Sequence, residues 1–309
     1  MSLKEKLQEF GDVLENQYMK YHTTFRIGGK VRYFFYPFSV QDLQCAMKII
    51  KEYDYPYKVM GKGSNILWCD ESCDMIVIFP DHYMHGFNFE ENILEAEAGC
   101  SIIALAVAAK ERSLSKLEFA SGIPGSVGGC IFMNAGAYRS EMSEIVEEVQ
   151  ILRDGELVWV NKLDMEFGYR TSILKQHPDW IVTKVRLRLQ QGDKDEIEEV
   201  MNSRRERRLE TQPLDKPSAG STFKNPEEMP AWQCIESVGL RGYSHGGAAV
   251  STKHCNFLIN AGEATCADMK CLIKEIQDKV KEELNIELVT EVEQFTWQKK
   301  KKISSTQIK

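Results

Sequence analysis

The chain has 309 residues, of which 43% are hydrophobic and 28% charged, and a formal net charge of -7. That length holds two or three units with cores of their own, and the acidic balance argues against nucleic acid as the main partner, a role that leaves a basic footprint. Nine cysteines, an odd number without a paired C-x-x-C arrangement, read as reduced thiols rather than a disulfide framework. His82, His85 and His254 lack the spacing of zinc ligands, so no metal is expected. The opening MSLKEKLQEF is charged where a signal peptide is apolar, and the longest clean apolar run, 102–109, is too short to span a bilayer. The expectation is a soluble, cytoplasmic protein, monomeric and without a membrane partner.

In chain order, the pattern predicts a leading helix from Lys4 to Met19, then a Gly-Gly turn feeding a strand rich in aromatic and β-branched residues. Leu43, Ala46, Met47 and Ile50 recur at helical spacing over Asp42 to Asp54. A strand from Tyr57 to Met60 runs into GKGSNIL, where Gly61, Gly63, Ser64 and Asn65 offer N–H groups, a hydroxyl and an amide for a phosphate or ribose. Strands follow at Met75 to Phe79 and Ile93 to Ala98, then an alanine-rich buried helix from Ser101 to Ser113.

The most constrained stretch is GIPGSVGGCIFMNAGAY, Gly122 to Tyr138, with five glycines around a short apolar run. Glycine lets a ligand approach main-chain N–H groups and permits positive φ, and consecutive N–H groups in such turns form an anion nest. Neither glycine loop is a dinucleotide fingerprint or a P-loop, so a bound dinucleotide implies a fold other than the Rossmann sheet.

Strands at Val146 to Leu152, Leu157 to Val160 and Ile181 to Leu189 complete a mixed α+β unit. Tyr169 and Arg170 lie side by side in FGYRTS between the last two. A polar break at Gln190 to Asp193 marks the domain boundary, and a charged helix from Lys194 to Glu210 carries Ile197, Val200 and Met201 on one face. Its Arg204, Arg205, Arg207 and Arg208 read either as a phosphate grip or as a solvated face paired with Glu206 and Glu210. A proline-bounded loop, TQPLDKPSAGSTFKNP, precedes another glycine-rich turn. Thr265 to Leu284 forms a helix with a capping box and an apolar stripe, and a strand from Ile286 to Phe295 closes the unit before a lysine-rich tail.

Taken together, FRIGG, GKGSNIL, GIPGSVGG with MNAGAY, YRTS, SAGSTFKNP and KHCNFLIN resemble, in order and over nearly the whole chain, the UDP-N-acetylenolpyruvoylglucosamine reductase family of flavoenzymes in bacterial cell-wall precursor synthesis. The resemblance implies an α+β architecture. After an N-terminal helix in 1–20, an FAD-binding domain of the vanillyl-alcohol-oxidase (PCMH) type spans 21–190 in two α+β subdomains split near 72. An α+β substrate-binding domain over 194–297 and a disordered tail at 298–309 follow. The short connection from Leu189 to Lys194 is similar to that of the family's shorter-loop class.

It also implies non-covalent FAD held by Gly61, Lys62, Gly63, Ser64, Asn65 and Ile66 and by Gly122, Pro124, Gly125, Ser126, Gly128, Gly129, Asn134, Gly136, Ala137 and Tyr138. NADPH is the implied co-substrate and enolpyruvyl-UDP-N-acetylglucosamine the implied substrate, with Tyr169, Lys224 and Asn225 touching it. Hydride added to the terminal vinyl carbon builds charge on the neighbouring carbon and its carboxylate, so the site needs cationic donors and a proton source. By similarity Ser221 is the proton donor, Arg170 grips the carboxylate bidentately, and Glu291 is the third catalytic group. An ionised carboxylate beside a developing dianion is repulsive, so Glu291 is expected to work protonated, its pKa raised by burial and anionic neighbours; Glu287 and Glu293 are its neighbouring alternatives.

Two departures from the family pattern stand out. Thr211 replaces a basic residue, with Arg207, Arg208 or Lys216 as compensating candidates, and Glu293 replaces an arginine, a change expected to affect only a surface strand. Competing readings are an oxidase on the same fold, although no histidine in the glycine loops is placed to tether FAD, and a non-catalytic flavin or nucleotide-sugar binder.

Overall fold

The computed structural model describes residues 1–298, and the tail beyond them lies outside the described residues. Three lobes follow one another along the chain. Helix α1 (Leu3–Leu7) is capped by Ser2 and stops after five residues; Gly11–Tyr18 is a strand, not the continuation of a helix to Met19. The reason is the partner: Gly11–Tyr18 pairs antiparallel along Lys30–Pro37, from Gly11 opposite Pro37 to Tyr18 opposite Lys30, and a ladder to an aromatic strand outweighs local helix propensity. Lys30–Pro37 in turn pairs in parallel with Cys73–Ile78, which pairs in parallel with Tyr57–Val59. Helix α2 (Val40–Glu52), capped by Ser39, covers this sheet and buries Leu43, Ala46, Met47 and Ile50 against Phe35, Ile76 and Ile78.

The second lobe is a five-stranded antiparallel sheet in the order Glu156–Asn161, Val146–Arg153, Ile181–Arg188, Ile93–Glu97, Phe87–Glu90. Helix α3 (Ile102–Lys110) packs into its core, as the alanine-rich run predicts. The glycine stretch contains an element that its turn-like composition hides. Helix α4 (Val127–Met133) starts inside it, with Ser126 as N-cap. A Cβ on Gly128 would stand 3.1 Å from that of Ala98, in the turn just after Ile93–Glu97, so the helix abuts that turn closely.

Helix α5 (Lys194–Thr211), capped by Asp193, bridges lobes rather than opening the third one. Lys110 pairs with Glu198 and Tyr138 Oη donates to Arg204 O on the second-lobe side, while Lys253 Nζ of the third lobe donates to Leu209 O near the helix end. Ile197 is buried and Met201 packs against the second-lobe core, but Val200 is 39% exposed and not part of that face.

In the third lobe α6 (Ala231–Ser237) and α7 (Cys266–Leu284) pack around a small sheet of Ser244–His245, Ala248–Val250 and Leu258–Asn260. The capping box of Thr265 and Asp268 forms, and Met269, Leu272, Ile273, Ile276 and Val280 are buried. The closing strand expected at Ile286 to Phe295 shrinks to Glu293–Gln294, paired in parallel with Ile66–Leu67 of the first lobe. The segment spends its main-chain groups between lobes, as a splint, and has no sheet of its own to extend.

Leu67, fully buried, belongs to the core cluster of the third lobe although its chain belongs to the first. Leu67→Ala is expected to lower stability by about 2–5 kcal/mol and to loosen the first and third lobes in one transition; denaturant unfolding followed by far-UV and tryptophan signals checks this, and two separated transitions would contradict it.

Candidate active site

Between the lobes opens a cavity of about 1220 Å³, bordered by Gly61 to Ile66, Ile123 to Ser126, Gly128 to Cys130, Tyr169, Arg170, Ser221 and Glu291. Its base is the contact of the two glycine loops. A Cβ on Gly61 would stand 2.3 Å from Ser126 Oγ, so only glycine lets the loop after Tyr57–Val59 lie on the N-terminus of α4. Gly63 has φ +63°, and a Cβ there would stand 2.1 Å from His22 O. Thr24 N donates to Gly63 O at 3.0 Å and fixes the turn. Both glycines thus let the loop pack closely on its neighbours, and with Lys62, Ser64 and Asn65 they border the cavity as a glycine cradle.

Three further chain segments reach the same cavity, two of them hydrogen-bonded to the glycine stretches. Arg170 sits in a turn closed by a Gly168–Thr171 bridge, with φ +57°, and Lys175 Nζ donates to its carbonyl at 2.7 Å. Its Nε donates to Glu291 Oε1 at 2.7 Å and its Nη2 to Gly136 O at 2.7 Å. Glu291 is held by its backbone on both sides: its N donates to Thr222 O at 2.8 Å, and Asn65 Nδ2 donates to its carbonyl at 3.2 Å. Ser221 precedes a segment pinned from behind by Asn256, whose Oδ1 accepts from Phe223 N and whose Nδ2 donates to Phe223 O, both at 2.9 Å.

The side chains of Arg170 and Glu291 are only 18% and 16% exposed. Burial pushes the Glu291 carboxyl above its ordinary pKa, against the opposing pull of Arg170, Lys224 and Lys175. Burial, together with Lys224, lowers that of Lys175. The direction agrees with the expectation and burial is its cause, but the charged neighbours acting on Glu291 are cations that pull the other way, not the anions expected.

Most of the residues singled out by sequence line the cavity, including all six of the first loop, Tyr169, Asn225 and the trio Arg170, Ser221 and Glu291. Four do not border it. Asn134 is fully buried at the left-handed end of α4, its Nδ2 donating to Glu141 and Gly168 O and its Oδ1 accepting from Ser143 N; it is a brace for the loop. Gly122 lies against the Arg208 side chain, and Tyr138 lies under the Arg204 guanidinium. Lys224 acts on Glu291 through its charge.

Glu287 is exposed, so Glu291 is the carboxylate that meets Arg170. Glu293 is not a surface change: it lines the cavity and pairs with Lys58 at 2.5 Å. Thr211 Oγ1 donates to Arg207 O, whereas Arg208 and Lys216 border the cavity and are the cations that stand near the missing one. Lys58 and Lys175 lie outside the motifs of the sequence, and Asn256, inside KHCNFLIN, is not singled out by it; Lys58 reaches Glu293 from 235 residues away, and Lys175 reaches back five residues to the Arg170 carbonyl.

The open cradle and the cavity, larger than the roughly 300–1,000 Å³ of a usual small-molecule site, fit a dinucleotide cofactor together with a second ligand. A family model described as an FAD binding domain matches residues 31–161. The fold and the site therefore define an FAD-containing oxidoreductase. A second model, the C-terminal domain of UDP-N-acetylenolpyruvoylglucosamine reductase, matches residues 212–295. Relatives of that name from Thermotoga maritima and Bacillus subtilis are 44% and 40% identical, over 88% and 94% of this chain and 95% and 96% of their own. A crystal structure of the enzyme from Thermus caldophilus superposes with a TM-score of 0.78 at 33% identity, covering 93% of this chain and all of that one. The chain belongs to the UDP-N-acetylenolpyruvoylglucosamine reductase family.

Gly63→Ala forces a side chain into a left-handed position, at about 1–2 kcal/mol, and into His22 O. The purified variant is expected to lose most of its flavin, read as the ratio of flavin to protein absorbance; full occupancy would show that this loop does not shape the cofactor site.

Proposed function

We propose that this protein reduces the enolpyruvyl ether of UDP-N-acetylglucosamine-enolpyruvate to UDP-N-acetylmuramate at the expense of NADPH. The observation that supports the reading is the meeting of Arg170, Glu291 and Ser221 on the wall of the cavity that the glycine cradle borders. The loops Gly61 to Ile66 and Pro124 to Ser126 with Gly128 and Gly129 would hold FAD, which would supply the hydride-transfer chemistry between NADPH and the enolpyruvyl group.

The chain's own residues do the rest. Arg170 takes the substrate carboxylate, and its stabilisation grows as charge moves there in the transition state. Ser221 delivers the proton to the neighbouring carbon, and protonated Glu291 donates a hydrogen bond where an ionised carboxylate would repel. Asn225 accepts from Ala231 N through its Oδ1, which leaves its amide N–H groups for the nucleotide sugar, with Tyr169 and Lys224 beside it. Arg208 and Lys216 add positive charge near the phosphates where Thr211 has none. Nucleotide sugars and NADPH are cytosolic solutes, so the reading places the reaction in the cytoplasm, in the supply of peptidoglycan precursors on which cell shape and division depend.

Two experiments on one instrument test this. In stopped-flow mixing, Ser221→Ala should leave NADPH reduction of the flavin unchanged and slow its reoxidation by substrate roughly 10²–10⁴-fold; reoxidation at the wild-type rate would remove Ser221 from the mechanism. Glu291 works as the acid form, and its raised pKa keeps that form to higher pH than a free carboxyl. Wild-type reoxidation should therefore fall as pH rises through the Glu291 pKa, and Glu291→Gln should lose that limb of the profile.

A further inference from the structure

Arg170 and Glu291 already form a close pair, and neither can move away from the other at little cost. The Glu291 backbone is tied to Thr222 and Asn65, and the Arg170 backbone to Lys175 and the Gly168–Thr171 bridge. Of the five N–H donors of a guanidinium, two are engaged, toward Glu291 and Gly136. The other three can receive a carboxylate while the pair stays in place. A bound substrate then sets two carboxylates on one guanidinium inside a cavity wall.

The charged groups that face Glu291 sharpen the imbalance. Arg170, Lys224 and Lys175 are the cations acting on it. Glu293, two residues along, brings a further negative charge that Lys58 neutralises. Lys224 acts on Glu291 from outside the cavity lining, so Arg170 is the cation in hydrogen-bond contact with it and the one the substrate would share. Like charges that cannot both ionise at close range hold a proton between them.

We infer that the substrate loads its own acid: binding of the enolpyruvyl carboxylate at Arg170 makes Glu291 take up a proton from solvent, before any hydride moves. Free enzyme with Glu291 ionised and paired to Arg170 becomes a complex in which Arg170 pairs with the substrate and Glu291 is a neutral donor. The proton comes from the buffer acid, so its release by the buffer is measurable as heat. This rests on the reading that the substrate presents a carboxylate to Arg170.

The test is calorimetric titration of the oxidised holoenzyme with enolpyruvyl-UDP-N-acetylglucosamine at pH 7, without NADPH, in phosphate and in Tris buffer. With no hydride source the substrate binds and does not react. The difference in binding enthalpy between buffers of different ionisation enthalpy gives the protons exchanged, with uptake approaching about one per site expected. UDP-N-acetylglucosamine, which lacks the carboxylate, should bind with no uptake, and Glu291→Gln, its flavin spectrum intact, should bind the full substrate with none. Binding without uptake in the wild-type enzyme overturns the inference alone, as does uptake that persists in Glu291→Gln. Failure of the wild-type enzyme to bind the substrate overturns the substrate reading and this inference with it.

Discussion

The structure depends on how one short segment, 290–295, distributes its main-chain hydrogen bonds. Thr290 bridges to Phe223, Glu291 N reaches Thr222 O, Glu293 N reaches Asn65 O and Phe295 N reaches Leu67 O. Backbone groups left unpaired inside a protein are costly, so this extended strip is stable only while the first and third lobes flank it. The same strip presents Glu291, which places the carboxylate at the seam. Trp68 and Phe295, stacked at 4.0 Å, close the far end of the seam with apolar surface.

The cradle and the chemistry are joined by the same economy. Asn65 belongs to the first glycine loop, yet its carboxamide holds the carbonyl of Glu291; Gly136 belongs to the second, yet its carbonyl orients Arg170. Each glycine stretch therefore both supplies cavity wall and holds one member of the Arg170–Glu291 pair. Such sharing keeps reacting groups in register with a cofactor without a dedicated scaffold.

Much of this was legible in the sequence where the signal was local. The stripe and capping box of α7 fix that helix from a single window, and the glycines at 61, 63 and 128 announce close backbone approach. What was not legible was decided across lobes. Gly11–Tyr18 turned from helix to strand because Lys30–Pro37 was there to pair with it, and Ile286 to Phe295 gave up a strand because its partners lie in two different lobes. Helix α4 was hidden because two glycines in its first turn look like loop residues until Ala98 is seen against them. Lys58 and Lys175 have no spacing that ties them to Glu293 and Arg170, from which 235 and 5 residues separate them, and the role of Glu293 in the cavity wall was missed with them.

The left-handed backbone at Arg170 has a further meaning. A residue with a long side chain at φ +57° sits in a conformation that costs of the order of 1–3 kcal/mol and persists only where its surroundings over-determine it. Here the restraint is an ammonium group, Lys175 Nζ, on the carbonyl of that same residue, and Lys175 itself borders the cavity. A lever and its latch thus face the same solvent. The conformation of one peptide rests on a charged side chain that shares the cavity with the guanidinium it supports.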